Sequence, residues 1–157
     1  MLDTTLTPRI PNPVYTVKGA LEAIHALGAA IGKIGLDPML IELLNQRASQ
    51  INGCSVCLEG HGRILRKGGE SDARLDSLAG WRDSPHFSAA ERTALALTEA
   101  MTRMADAPHA VSDEIWDAAA QHFSPEELAG LVLSIAGINL FNRINVATGQ
   151  VGGSWQP

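Results

Sequence analysis

Helix-start signals punctuate this chain from Asp37 onward, and they constrain its fold more than any other feature. Asp37-Pro38 places an acid at an N-cap and proline in the first helical position. Ser88 with Glu91 spells a capping box: the serine accepts from a first-turn N–H and the glutamate reaches back. Ser124-Pro125-Glu126-Glu127 combines a second box with a first-turn proline. The expected helices run from about Thr16 to Ile34, Pro38 to Asn52, Cys54 to Gly68-Gly69, Ser71 to Gly80, Ser88 to Ala105, Ser112 to Phe123 and Pro125 to Thr148. Gly53 is a natural stop for the second of them. In the first, Leu21, Ile24, Leu27 and Ile31 recur at helical spacing, and Gly28 and Gly32 share a face that predicts close helix–helix contact. No run alternates β-branched and polar residues between hairpin turns. The reading is all-α, a single-domain helical bundle of about six or seven helices.

Length and composition fit that reading. The chain has 157 residues, one domain's worth, with 45% apolar and 18% charged residues, which excludes a disordered polypeptide. Residues 1–13 hold Pro8, Pro11 and Pro13 and are expected to form an extended arm, residues 14–149 the helical domain, and residues 150–157 a glycine-rich tail, loose unless docked on a neighbouring chain. Net charge is −5, and the tightest basic group is only Arg63, Arg66 and Lys67, so no nucleic-acid partner is expected. The N-terminal MLDTTLTPRIPNP lacks the basic start and apolar run of a signal peptide. The longest apolar stretch, Leu128 to Phe141, is 14 residues, short of the roughly 20 that span a bilayer. A cytoplasmic protein with no membrane partner is expected. In a reducing compartment its two cysteines point to redox chemistry or metal binding rather than a permanent crosslink.

Those cysteines belong to the one stretch that carries chemistry: Asn52-Gly53-Cys54-Ser55-Val56-Cys57-Leu58-Glu59-Gly60-His61. On a helix Cys54, Cys57 and His61 fall within roughly 60° of one another. Two thiols three apart near a helix start can approach to bonding distance. His61, one turn beyond Cys57, can take its proton directly or through a water. Free N–H groups at the helix start stabilise an anion at Cys54. An adjacent imidazole favours one at Cys57. Spacing alone does not choose between them.

Other readings compete, among them a redox-sensing helical oligomer that uses the pair as a switch. The cysteines can be small buried residues beside a surface histidine. Cys54, Cys57 and His61 can supply three zinc ligands, with Glu42, His86 or water as the fourth. A non-redox enzyme acting on a small lactone or acid needs neither thiol. Haem attachment of the c type is excluded, because Leu58 stands where the histidine must follow the second cysteine.

At these residues the sequence resembles the alkylhydroperoxidase D-like (AhpD-like) branch of the carboxymuconolactone decarboxylase superfamily. That branch carries a glutamate, eleven residues, CxxC, three residues and a histidine, matched here by Glu42, Cys54, Cys57 and His61. Arg47-Ala48-Ser49-Gln50-Ile51-Asn52-Gly53 before the motif is also similar. So are Trp81-Arg82 leading to Phe87-Ser88, and the late Asn142-Arg143-Ile144-Asn145-Val146. The resemblance implies an all-helical fold assembled as a homo-trimer or homo-hexamer. It implies a peroxidase or disulfide reductase with no bound cofactor, only a redox-active disulfide Cys54–Cys57. It makes Cys57 the nucleophile oxidised to sulfenic acid and Cys54 the proton donor and resolving thiol. Glu42 and His61 become the proton relay. The substrate is then a hydroperoxide or disulfide, with an external dithiol as reductant.

Outside the motif, Asn139, Asn142, Arg143 and Asn145 interrupt an apolar helix and predict a hydrogen-bonded network between helices or subunits. His86 follows Pro85 in an expected surface loop. His25, His109 and His122 have no partner nearby in sequence. Trp81, Trp116 and Trp155 read as core or interface. Glu59 reads as solvated or paired with Arg63, and Arg63 with Arg66 can recruit an acidic partner.

Overall fold

The helices of the computed structural model, which describes residues 5–155 and 157, begin where a side chain can satisfy their free N–H groups. α1 (Pro13–Thr16) is capped by Asn12, and α3 (Pro38–Asn52) by Asp37. α2 (Ala20–Gly32) instead starts from Gly19 in the left-handed region, at φ +84°. α4 (Ser55–Lys67) is capped by Cys54, α5 (Asp72–Asp76) by Ser71, and α7 (Asp113–Ala120) by Ser112. Both expected boxes close, Ser88 with Glu91 on α6 (Ala89–Thr102) and Ser124 with Glu127 on α8 (Pro125–Thr148). Short 3-10 turns lie at Leu78–Gly80 and Met104–Asp106, and no strand occurs among the described residues.

The fold is therefore all-α, with eight α-helices among the described residues where six or seven were expected. The first expected helix, Thr16 to Ile34, starts only at Ala20 as α2, and the extra one is α1, the single turn Pro13–Thr16 that precedes it. Pro13 opens α1, so the proline-rich arm gives way to helix at that residue; its residues 1–4 lie outside the described part.

α3 is the hub. It packs on α4, α6 and α8, and its buried face joins Leu43 and Leu44 to Leu65, Leu95, Leu97, Leu131 and Ile135. Behind α3 a charged cluster is buried with them. Glu99 accepts from Arg47 Nε at 2.8 Å, Trp81 Nε1 at 2.9 Å and Arg82 Nη1 at 2.7 Å. This ties α3 to α6 and to the turn at residues 81–82. Burial works against the Glu99 charge, but those hydrogen bonds and the Arg47 guanidinium outweigh it and bring its pKa down to about 2.

α8 is long and apolar enough by length and composition to cross a membrane, because the helix continues well past the apolar stretch seen in the sequence. Here it lies against α3, and the side it buries carries Asn139, Asn142 and Asn145 beside Leu131, Ile135 and Ile138. α2 behaves differently. It has no buried residue, and a Cβ on Gly28 or Gly32 would meet nothing within 4 Å. The close helix contact expected from those glycines is absent among the described residues.

Candidate active site

The turn at Asn52-Gly53 builds the site. Gly53 adopts φ +67°, a conformation that side chains with a Cβ rarely take, and reverses the chain between α3 and α4. Glu42, on α3, is thereby brought to His61 on α4, where a Glu42 oxygen lies 2.6 Å from His61 Nδ1. Both side chains are mostly buried. The two side chains expected to work together are thus paired.

Cys54 is the N-cap of α4 and accepts from the Cys57 N–H at 3.3 Å. The two sulfurs stand at disulfide distance, with Cα atoms 5.4 Å apart. Both residues are buried, yet they open to different spaces. Cys57 lines a cavity of about 640 Å³ together with Glu42 and His61. Cys54 borders a smaller pocket of about 200 Å³ with Ser55, Val146 and Gln150.

Asparagines hold the thiol pair in place. Asn145 Nδ2 points at both sulfurs, 3.4 Å from Cys57 Sγ and 3.7 Å from Cys54 Sγ. Its oxygen accepts from Asn12 Nδ2 at 3.0 Å, so the N-cap of α1 fixes which end of the amide faces sulfur. Asn52 donates to Asn139 at 3.0 Å and to Asn142 at 2.8 Å, and Asn142 donates to Ser49 at 3.0 Å. The network expected from the late asparagines is present between α3 and α8, and Arg143 joins it by donating to Asn139 at 3.1 Å. The separate contact of Asn145 with the sulfurs has no signal in the sequence beyond an asparagine on an apolar helix.

The tail departs from expectation. It docks on its own chain: Trp155 lies against His61, ring centroids 5.1 Å apart and nearly edge-on, and lines the cavity. Arg9 completes this end by donating to the carbonyls of Ala147 and Thr148, from Nη1 and the backbone N respectively. Glu59 pairs with Arg63 at 3.2 Å. His25, given no role from sequence, lines the cavity mouth on α2. His86 is exposed and does not line it, and no group of three or more metal-ligating side chains gathers among the described residues. Trp81 is in the core and Trp116 is largely exposed.

The model of the carboxymuconolactone decarboxylase family matches residues 19–100. The chain belongs to that family. Proteins similar to this chain include the uncharacterized protein YdfG of Bacillus subtilis, 37% identical over 109 residues, covering 69% of this chain and 73% of that protein. The alkyl hydroperoxide reductase AhpD of Gluconacetobacter diazotrophicus is 36% identical over 47 residues, 30% of this chain and 26% of that one. Among solved structures, ATU0492 from Agrobacterium tumefaciens, described as of unknown function and a candidate antioxidant defence protein AhpD, superposes with a TM-score of 0.85. It is 31% identical and the match covers 95% of this chain and all of that one. Within the carboxymuconolactone decarboxylase family the chain is AhpD-like, and with its CxxC pair this supports a peroxidase-like antioxidant.

Proposed function

We propose that the protein is a dithiol hydroperoxide reductase in which Cys57 attacks and Cys54 resolves. One observation carries the assignment of roles: Cys57, and not Cys54, lines the large cavity that Glu42 and His61 also line. His61, held by Glu42, takes the Cys57 proton. The Cys57 thiolate attacks the distal oxygen of the hydroperoxide and the O–O bond breaks. The departing alkoxide takes the Cys54 proton and leaves as the alcohol, and Cys57 is now a sulfenic acid. The Cys54 thiolate attacks the Cys57 sulfur, and hydroxide leaves as water with the proton held on His61. Two thiols have lost two electrons and the peroxide has gained them. An external dithiol reopens the disulfide by exchange.

The Asn145 amide supports this reading, because an N–H aimed at Cys57 Sγ favours a thiolate there. The disulfide spacing of Cys54 and Cys57 is the spacing the closing step needs. The same reading places the protein in the cytoplasm as a homo-oligomer, trimer or hexamer. The unburied apolar helix α2 is a surface such an assembly can cover.

The test is a free-thiol count on reduced, chelator-treated protein before and after one equivalent of cumene hydroperoxide. Loss of both thiols, reversed by dithiothreitol, is expected, with Cys57→Ser inert. Two thiols surviving in the wild-type protein, or unchanged peroxide turnover in Cys57→Ser, sinks the mechanism.

A further inference from the structure

The cysteine pair has two sides, and each has its own opening. Cys57 borders the large cavity and Cys54 does not; Cys54 borders the smaller pocket and Cys57 does not. Asn145 and Gln150 border both spaces and form the partition between them. Both are pinned. Asn12 holds Asn145, and Gln150 Nε2 donates to the Ile10 carbonyl and to Thr148 Oγ1, each at 3.0 Å. The two spaces are therefore separate approaches to one bond.

The smaller pocket lies where two helices end. α3 stops at Gly53 and α8 at Gly149, both in left-handed turns, at φ +67° and +64°, so neither end adds a side chain over Cys54. Ser55 and Val146 at the rim are exposed, and no charged side chain borders the pocket among the described residues. Its volume of about 200 Å³ is below the roughly 300–1,000 Å³ of pockets that enclose a small molecule. It has room for a slim arm and not for a bulky body.

Reopening the disulfide needs a thiolate that approaches one sulfur from the side away from the sulfur it expels. An attacker that expels Cys57 must stand on the Cys54 side, where the small pocket is. The displaced Cys57 thiolate has Asn145 Nδ2 at 3.4 Å and shares its cavity with His61. Negative charge arriving at Cys54 meets the Cys57 backbone N–H, 3.3 Å from Cys54 Sγ, at the positive end of α4.

We propose that the small pocket is the entrance for the reductant: an external dithiol presents one thiol through it on a slim arm and attacks Cys54. This rests on the redox reading above, which forms the disulfide. The first thiolate bonds to Cys54 Sγ as the Cys54–Cys57 bond breaks, and Cys57 leaves as a thiolate. The reductant's second thiolate then attacks the reductant's own first sulfur, and Cys54 is released. The reductant ends as a disulfide, having given two electrons, and its two protons end on Cys54 and Cys57. Oxidant and reductant thus reach the pair from different sides.

The test starts from protein oxidised to the disulfide with diamide. It is mixed with 2-mercaptoethanol, quenched in acid at successive short times and blocked with N-ethylmaleimide, and fragment masses locate each group. The earliest adduct is expected on Cys54, with maleimide on Cys57, in about tenfold or greater excess over the reverse. An early adduct mainly on Cys57, or shared equally, overturns the inference. A second measurement reads the path. Val146 is 47% exposed at the rim, so its substitution changes the entrance and not the core. Reduction of the diamide-oxidised protein by dithiothreitol is expected to slow by about tenfold in Val146→Trp and not to slow in Val146→Ala. A rate that holds in Val146→Trp overturns the inference, and it decides the matter if Cys57 expels mercaptoethanol too fast for an adduct to be trapped. If hydroperoxides leave the reduced thiols untouched, the redox reading fails. If they oxidise them and mercaptoethanol enters at Cys57, only this inference fails.

Discussion

The indole of Trp155 fills the space that any side chain on Gly60 would need. The tail that carries it runs back across α4, with Gly152 against Glu59 and Ser55, and Arg63 donating to the Trp155 carbonyl at 3.5 Å. The same ring stands beside His61 and walls the cavity. One glycine on α4 is therefore the seat for a residue that packs against His61, the imidazole that Glu42 also holds. Aromatic contact of this kind limits the rotamers open to the imidazole, and positioning of a proton-transfer group decides its efficiency.

Gly60→Ala is expected to release the tail without unfolding the domain. Alanine is the better helix former by about 1 kcal/mol, and the ring it displaces belongs to a terminal segment able to move away. Limited proteolysis should then cut near residues 150–155, and thiol oxidation by hydroperoxide should slow by about tenfold. Trp155→Ala should slow it equally, and the double variant no further, because both changes remove one contact. A variant that loses several kcal/mol of stability in urea while its tail stays protected would contradict this account.

Asn145 gives a second prediction. Its amide nitrogen faces Cys57 Sγ while Asn12 holds the amide oxygen. A hydrogen bond to a charged acceptor contributes about 1.5–3 kcal/mol, so Asn145→Ala should slow the attack by roughly ten- to a hundredfold. Asn12→Ala leaves the donor in place but frees it to rotate, so its effect should have the same direction and be smaller. Stopped-flow measurement of Cys57 oxidation at fixed pH checks both. Equal rates in wild type and Asn145→Ala would remove the amide from the mechanism.

What was legible in the sequence is what local chemistry encodes. Asp37, Ser88 and Ser124 cap the helices they were read to cap, because a cap and its N–H partner lie within three residues of each other. The Glu42–His61 pair was legible through a family motif, and it forms because Gly53 permits the turn between their helices. Long-range placement was not legible. The meeting of Trp155 with Gly60, of Asn145 with the sulfurs and of His25 with the cavity joins residues far apart in the chain, and no spacing rule links them. The late start of α2 and the separate turn α1 have no signal in the pattern, because Leu21, Ile24, Leu27 and Ile31 lie wholly inside α2 and do not register the left-handed Gly19 before it. In the sequence Arg82 stands out only through its resemblance to the family, and Trp81 through that and as a core or interface residue. The structure gives them a reason, as donors to buried Glu99.

That cluster yields the last prediction, which concerns stability. Glu99 is only 4% exposed, and its carboxylate takes hydrogen bonds from Arg47, Trp81 and Arg82. Burial opposes its charge, the donors and the Arg47 charge outweigh burial, and its pKa falls from 4.5 to about 2. A folded-state pKa below the unfolded one means that folding favours the deprotonated form. The resulting stabilisation is complete above about pH 5 and drains away as pH falls from there towards 2. Its full size at neutral pH is on the order of 3 kcal/mol. Glu99→Gln removes the titration and leaves Arg47 buried without its counter-charge, so the variant should be destabilised at pH 7. As pH falls from 7 to 3, the stability gap between wild type and variant should narrow by about 2 kcal/mol, because wild type alone loses this contribution. Urea titrations of both proteins at pH 7, 5, 4 and 3 measure the gap. A gap that keeps its pH 7 size at pH 3 would show that the hydrogen bonds to Glu99 matter for shape alone and that its charge does not anchor α3 to α6.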